Sequence, residues 1–451
     1  MTLTRGAQRA IIAAFCAFLA VIYFIAWHAP SVGMLHEDAD YLLAAKALPL
    51  SPQWLRLLPL LCTLAWLSIT WKLLRRMGAK TGGAWLLVLI TAASPTVVLL
   101  GTNLMPEPFF AILMAQSLVL LLDERALLAG ICAGLATLIM PVGVTLIVAC
   151  MLVFVVRRRL RSAALFTAAS MLFAAPWLGW TLAHPAPGPA LQPSEKLVVL
   201  GANAVSLFSG PVQLLSGIGG LYAVIATLVL VVWSLRRRRQ LMPDLFVLFY
   251  SVMLLCRVGN PLRPLAPVFP LVLWILWRAF QTAKLQELIA AVGIIFALVP
   301  TVVDATRLPE TLRAGQFPTS KRASDDWPQL GKLFAWIRAN VPADAVLMAD
   351  ADSMFTLNTG RKTIRGFLPD TYKLYYAPAN SLITPDQLGR QILENGVSYV
   401  ALTPERDFPE TAAYHRAVEA LERGGLLEPV PVPGLTGDYR LLRTASFRLT
   451  R

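Results

Sequence analysis

The stretch "ALLAGICAGLATLIMPVGVTLIVACMLVFVV" at residues 126–156 runs for 31 residues without a charge. That is too long for one membrane crossing, which takes about 20 apolar residues, and short for two. Pro141 decides the reading. Proline lacks an amide hydrogen and clashes with the preceding helical turn, so the run splits into two short helices, 126–139 and 141–156, meeting near Met140 and Pro141 at the outer surface. A single kinked span would reverse everything downstream and put the four arginines at 236–239 outside, against the tendency of basic loops to stay cytoplasmic.

On either side of this stretch, apolar runs near 10–28, 54–74, 82–100, 108–123, 162–183, 217–235, 241–258, 264–280 and 287–304 bring the count to about eleven transmembrane helices. Arg5 and Arg9 precede the first run, which reads as an uncleaved span entering from the cytoplasm. The inner loops then receive Arg75, Arg76, Lys80, Arg125, Arg157 to Arg159, Arg161, the 236–239 cluster, Arg278 and Lys284. The outer loops and their flanks receive only Lys46, Arg56, Lys196, Arg257 and Arg263. An odd number of spans places the C-terminal part outside.

Composition agrees with a bilayer as solvent. Of 451 residues, 57% are hydrophobic and 15% charged, whereas a soluble domain carries about a quarter charged residues. The net charge of +14 is not a nucleic-acid footprint: residues 1–304 hold 22 Lys or Arg against 10 Asp or Glu, and residues 305–451 hold 18 against 16. The excess belongs to the short loops of the membrane part. The five cysteines all lie in apolar runs and form no CxxC pair, so neither a disulfide framework nor a zinc site is indicated.

The expected fold is therefore a polytopic α-helical membrane domain at 1–304 followed by a small extracytoplasmic α/β domain at 305–451. In the latter, helical and apolar-extended segments alternate at 328–340, 345–349, 385–395, 397–402, 410–424 and 438–443.

Chemistry concentrates in the first outer loop, "SVGMLHEDADYLLAAKAL" at 31–48. His36, Glu37, Asp38 and Asp40 crowd there, ahead of Tyr41, and the next outer loop adds Glu107 in "GTNLMPEPFF". A carboxylate at the membrane boundary, partly desolvated and close to another, resists ionisation and serves as a general base. The competing readings are plain: Asp38 or Asp40 capping a short helix, and Glu107 opening the fourth helix where its charge suits the dipole. The first-loop side chains also offer hard ligands to a divalent metal, though in no recognised metal spacing.

The acidic pair with a Tyr-Leu helix, the Pro-rich acidic second outer loop, two short helices meeting at a proline, inner Arg clusters, the late "NPLRPLAPVFP" and an α/β tail together resemble the GT-C glycosyltransferases, such as the protein O-mannosyltransferases and aminoarabinose transferases. The resemblance covers nearly all of the chain. It implies a hexosyl- or pentosyltransferase that moves a sugar from a polyprenyl-phosphate donor to a lipid, glycan or protein acceptor at the outer face of the inner membrane. It places Glu37 and Asp38 on the family's acidic pair, which is commonly Asp-Glu; the order here is reversed. Where the family's short-helix junction often reads Thr-Arg-Pro, this chain has Ile139, Met140 and Pro141. Arg257 and Arg263 suit the departing phosphate, with Lys196 a weaker candidate. Two other classes share the span count: a transporter or flippase of envelope lipids, and a non-catalytic scaffold for envelope assembly.

Overall fold

A computed structural model describes residues 5–29, 37–45, 52–184, 191–216, 240–259, 261–280, 327–366, 383–404, 409–435 and 439–445. Along the chain run α1 (Arg5–His28), α2 (Glu37–Ala44), α3 (Pro52–Leu55), α4 (Leu57–Arg76), α5 (Thr81–Ala93), α6 (Pro95–Thr102), α7 (Pro106–Leu122), α8 (Ala126–Ile139), α9 (Val144–Val156), α10 (Leu160–Ala183), α11 (Pro193–Ser216), α12 (Leu241–Cys256), α13 (Leu262–Leu265) and α14 (Phe269–Phe280). They are followed by α15 (Trp327–Asn340), β1 (Val346–Ala349), α16 (Asp352–Thr359), β2 (Thr363–Arg365), α17 (Pro385–Glu394), β3 (Val397–Leu402), α18 (Pro409–Arg423), β4 (Leu427–Val430) and β5 (Arg440–Thr444). The backbone forms two compact units, one of Met1–Trp27 with Gln53–Asp304 and one of His28–Pro52 with Ala305–Arg451.

In the first, helical unit, Ala10–His28, Leu57–Arg76 and Leu160–Ala183 are each long and apolar enough to cross a membrane. Among the described residues nearly every exposed large hydrophobic, including Leu58, Leu61, Leu64, Leu127, Leu128 and Leu172, stands on a helix of this unit. A surface of that kind is stable in lipid and not in water.

The prolines act unequally. The chain is extended at Met140, and Pro141 opens a 3₁₀ turn, Pro141–Gly143, that leads into α9. The single span expected at 82–100 is instead broken: Ser94 is extended, Pro95 starts α6, and α5 and α6 meet at a 68° bend, a pair that would make a fourth crossing. The run expected at 264–280 starts at Leu262 and passes through a 3₁₀ turn at Ala266–Val268. Pro176, by contrast, lies inside an unbroken α10. α11 is a 24-residue helix where the sequence shows no continuous apolar run. The spans expected at 217–235 and 287–304 lie outside the described residues.

Small residues bring α8 and α10 together. A Cβ on Gly130 would fall 2.4 Å from the Phe166 carbonyl oxygen, and one on Gly134 would fall 2.5 Å from that of Ser170. Such close backbone approach is how membrane helices gain packing energy without a hydrophobic driving force between them. At the turns after α4, α7 and α9, ion pairs join neighbouring loops: Arg76 with Asp123 at 2.5 Å and Arg159 with Glu124 at 2.6 Å. Arg278 at the end of α14 meets Asp244 in the first turn of α12.

The second unit is built on a five-stranded sheet of order β2-β1-β3-β5-β4. The β1 strand pairs in parallel with β2 and β3, and β5 is antiparallel to β3 and β4. β3 is buried along its whole length. One core cluster gathers Leu330, Phe334, Ile337, Leu347, Phe355 and Tyr399; the other gathers Met348, Ile392, Val400, Tyr414, Val418 and Leu442. Alternate residues of the strands feed the two clusters, as the pleat requires.

Candidate functional site

In the helical unit the polar candidates collect where α7, α12 and α13 begin or end. Pro106 opens α7 and Glu107 lies in its first turn, only 3% exposed. An acid here is favoured by the helix dipole, but burial at this depth also calls for a cation. Arg263 of α13 supplies it, its Nε donating to Glu107 Oε1 at 2.5 Å, while a third of its side chain stays exposed. Tyr250 of α12 donates to the Pro264 carbonyl at 2.5 Å and rests against Phe110 and Phe246, which ties α13 to α7 and α12. Beside Glu107, Thr63, Trp66 and Pro267 leave a niche of only about 10 Å³. That is room for one water.

Arginine and asparagine close several helix ends nearby. Arg56, 2% exposed, donates to the Thr102 carbonyl at 2.7 Å and to the Ala26 carbonyl at 3.1 Å, satisfying the ends of α6 and α1. The Asn203 amide on α11 does the same for the end of α12, reaching the carbonyls of Leu254, Leu255 and Arg257. The side chain of Arg257 is exposed, as is that of Lys196 near the start of α11.

Along α1, α4 and α5 runs an apolar cavity of about 680 Å³. Leu19, Tyr23, Leu60, Leu64, Leu67 and Val88 line its middle, with Trp27 at one end and Trp71 and Trp85 at the other. The volume is that of a site for a drug-sized apolar molecule or a stretch of a longer chain.

The second unit holds the first-loop acids. α2 starts at Glu37, so Glu37 and Asp38 occupy its first turn. Asp38 is 1% exposed, and Ala39 and Leu42 are buried with it. Asp40 and Tyr41 lie on the exposed side. The Asp40 carboxylate accepts a hydrogen bond from the Ser353 hydroxyl of α16. His36 and Lys46 lie outside the described residues. Among the described residues no three His, Cys, Asp or Glu side chains gather as metal ligands.

Sequence reasoning missed Arg56, Asn203, Tyr250 and Ser353 as organising residues. For Arg56 the signal was available, a lone cation in the apolar "PQWLRLLPLL"; for Asn203 and Ser353 the partners lie more than 50 and 300 residues away along the chain. Gly360, at φ +70°, ends α16, and Arg361 beside it holds the carbonyls of Arg338 and Val341 at the end of α15. Tyr414 is wholly buried, and that burial, followed by the neighbouring Asp350 charge, pushes its hydroxyl well above the usual tyrosine range, so it stays protonated.

Among the solved structures that share this fold are two of one protein. ArnT from Cupriavidus metallidurans in the apo state aligns over 97% of this chain and 98% of its own, with a TM-score of 0.55 and 12% sequence identity. The same protein bound to undecaprenyl phosphate aligns over 96% of this chain and 98% of its own, with a TM-score of 0.57 and 13% identity. No family model matches the sequence, and no curated protein does. The chain thus shares the fold of ArnT over nearly its whole length, a predominantly helical one with several apolar helices.

Proposed function

We propose that this protein is a glycosyltransferase of the inner membrane that moves a sugar from a polyprenyl-phosphate donor to a lipid, glycan or protein acceptor. The observation that carries the reading is the end-to-end likeness to ArnT, one of whose structures holds undecaprenyl phosphate. In this reading the N-terminus is cytoplasmic and the second unit extracytoplasmic.

The chemistry asks for a base, cations and an apolar seat for the prenyl chain. Asp38 or Glu37 takes the proton of the acceptor hydroxyl as its oxygen attacks the anomeric carbon of the sugar. The bond from that carbon to the phosphate oxygen breaks, its electron pair leaving with the polyprenyl phosphate. The burial of Asp38 supports its part, since a base kept from bulk water is spared competing hydration. Arg263 and Arg257, with Lys196, answer the charge on the leaving phosphate. Glu107 is better suited to holding Arg263 in place than to accepting a proton, because a carboxylate bonded to a guanidinium is stabilised in its charged form. The cavity along α1, α4 and α5 suits part of the prenyl chain.

The test is turnover by the purified full chain in lipid nanodiscs, offered undecaprenyl-phosphate-linked glucose, mannose, galactose and aminoarabinose with a lipid extract as acceptor. Release of free undecaprenyl phosphate from at least one donor, dependent on acceptor, is the expected result. Inertness toward every donor, together with movement of the intact donor between leaflets of a vesicle, would point instead to a flippase.

A further inference from the structure

The first-loop helix and the C-terminal sheet are more than 300 residues apart in sequence, yet α2 packs on α16 within one compact unit. We infer that Ser353 is a positioning residue: through its bond to Asp40 it sets the rotation of α2 and thereby the placement of Asp38. This inference rests on the reading of α2 as the helix that bears the base.

The argument follows a chain of contacts from the sheet outward. β2 is fixed by parallel pairing to β1, with Met348 opposite Ile364. At the end of β2, Arg365 grips Asp352, the first residue of α16, through Nη2 at 3.0 Å and Nε at 3.2 Å. Thr363 adds a second tie, its amide donating to the Thr356 hydroxyl of α16 at 3.3 Å. Met354 and Phe355 bury the helix against the core. The start of α16 is therefore rigid, and its next residue, Ser353, is the one that holds Asp40. An acid beside the first turn of a helix also gains from the dipole there.

Helix geometry converts that bond into control of Asp38. At about 100° per residue, Asp38 lies about 200° around α2 from Asp40. The buried arc holds Asp38, Ala39 and Leu42. α2 has only eight residues, a length that does not hold a helix on its own. For such a piece the Ser353 bond on the exposed flank adds a fixed point on the side opposite Asp38. Since a misplacement of about 1 Å can cost about a hundredfold in rate, loss of the bond should be felt at the base without altering the donor seat.

The experiment compares the full chain in nanodiscs with Ser353→Ala, Ser353→Thr and Ser353→Ala/Asp40→Asn. Two readouts are taken: hydrogen exchange of the peptide covering Glu37–Ala44, and kcat and KM on whichever undecaprenyl-phosphate-linked sugar the wild type turns over. Ser353→Ala should speed exchange in that peptide about tenfold and lower kcat by about ten- to a hundredfold, with KM for the donor within about twofold. Ser353→Thr, which keeps the hydroxyl, should restore both, and the double variant should be no worse than Ser353→Ala. Wild-type exchange in Ser353→Ala overturns the inference, as does faster exchange with undiminished kcat or a loss that threonine fails to rescue. A wild type inert on every donor sinks the glycosyl-transfer reading instead, and exchange alone then decides whether Ser353 fixes α2.

Discussion

Along α8 the buried positions are Ala126, Ala129, Gly130, Ala133, Gly134, Ala136 and Thr137, while Leu127, Leu128 and Leu138 stand on the outside. Along α15 the order is reversed: Leu330, Leu333, Phe334 and Ile337 are inside, and polar residues cover them. Where it packs on its neighbours α8 hides its smallest side chains, whereas α15 hides its largest apolar ones. The difference follows from the solvent. In lipid a leucine gains nothing by leaving the surface, so contact is maximised by bringing backbones close; in water the apolar area itself drives burial. The acids divide along the same line. Glu107, within the helical unit, is bonded to an arginine, whereas Asp38 and Asp40 sit on a short helix that the second unit holds.

The largest effect should come from the acids. Asp38→Asn is expected to lower kcat by about 10² to 10⁴ with KM for the donor little changed, and Glu37→Gln to cost less; the reverse order would make Glu37 the base.

Truncating a leucine on each side of the comparison comes next. Leu333→Ala should destabilise the second unit by about 2–5 kcal/mol through the cavity it leaves, whereas Leu127→Ala, facing outward, should cost under about 0.5 kcal/mol. Equal losses in thermal unfolding in nanodiscs would remove the distinction between the outward leucines of α8 and the inward leucines of α15. Gly130→Leu should destabilise by about 3 kcal/mol, the upper range for overpacking, because the Phe166 carbonyl already occupies the space of a Cβ.

A smaller effect probes the ion pair. Arg263→Met should cost about 2 kcal/mol, less than a fully buried pair because a third of Arg263 is in solvent. Adding Glu107→Gln should recover part of that loss by removing the stranded charge. A double variant less stable than Arg263→Met would show that Glu107 has a stabilising role apart from Arg263.

Much of the local structure is legible in the sequence. The segments read at 328–340, 385–395, 397–402 and 410–424 agree within a residue or so with α15, α17, β3 and α18, because each has a clear period and a turn residue at its end. The break at Pro141 is legible for the same reason. Pro95 was overlooked because the apolar run continues across it, and Pro176 shows that proline alone does not end a membrane helix. α11 was hidden by Gly201, Asn203, Ser206 and Ser209, polar or small residues that interrupt the apolar pattern; Asn203 is there to close the end of α12. The acids were legible as a local cluster. Their supports, Ser353 for Asp40 and Arg263 for Glu107, lie 313 and 156 residues away, beyond the reach of any periodicity.

The central claim, that a first-loop acid drives sugar transfer from a lipid phosphate, is met most directly by measuring undecaprenyl phosphate release by the wild type and by Glu37→Gln/Asp38→Asn in the same nanodiscs, with binding of undecaprenyl phosphate followed on both. The expected result is equal binding and release only by the wild type. Release by the double variant at the wild-type rate would contradict it.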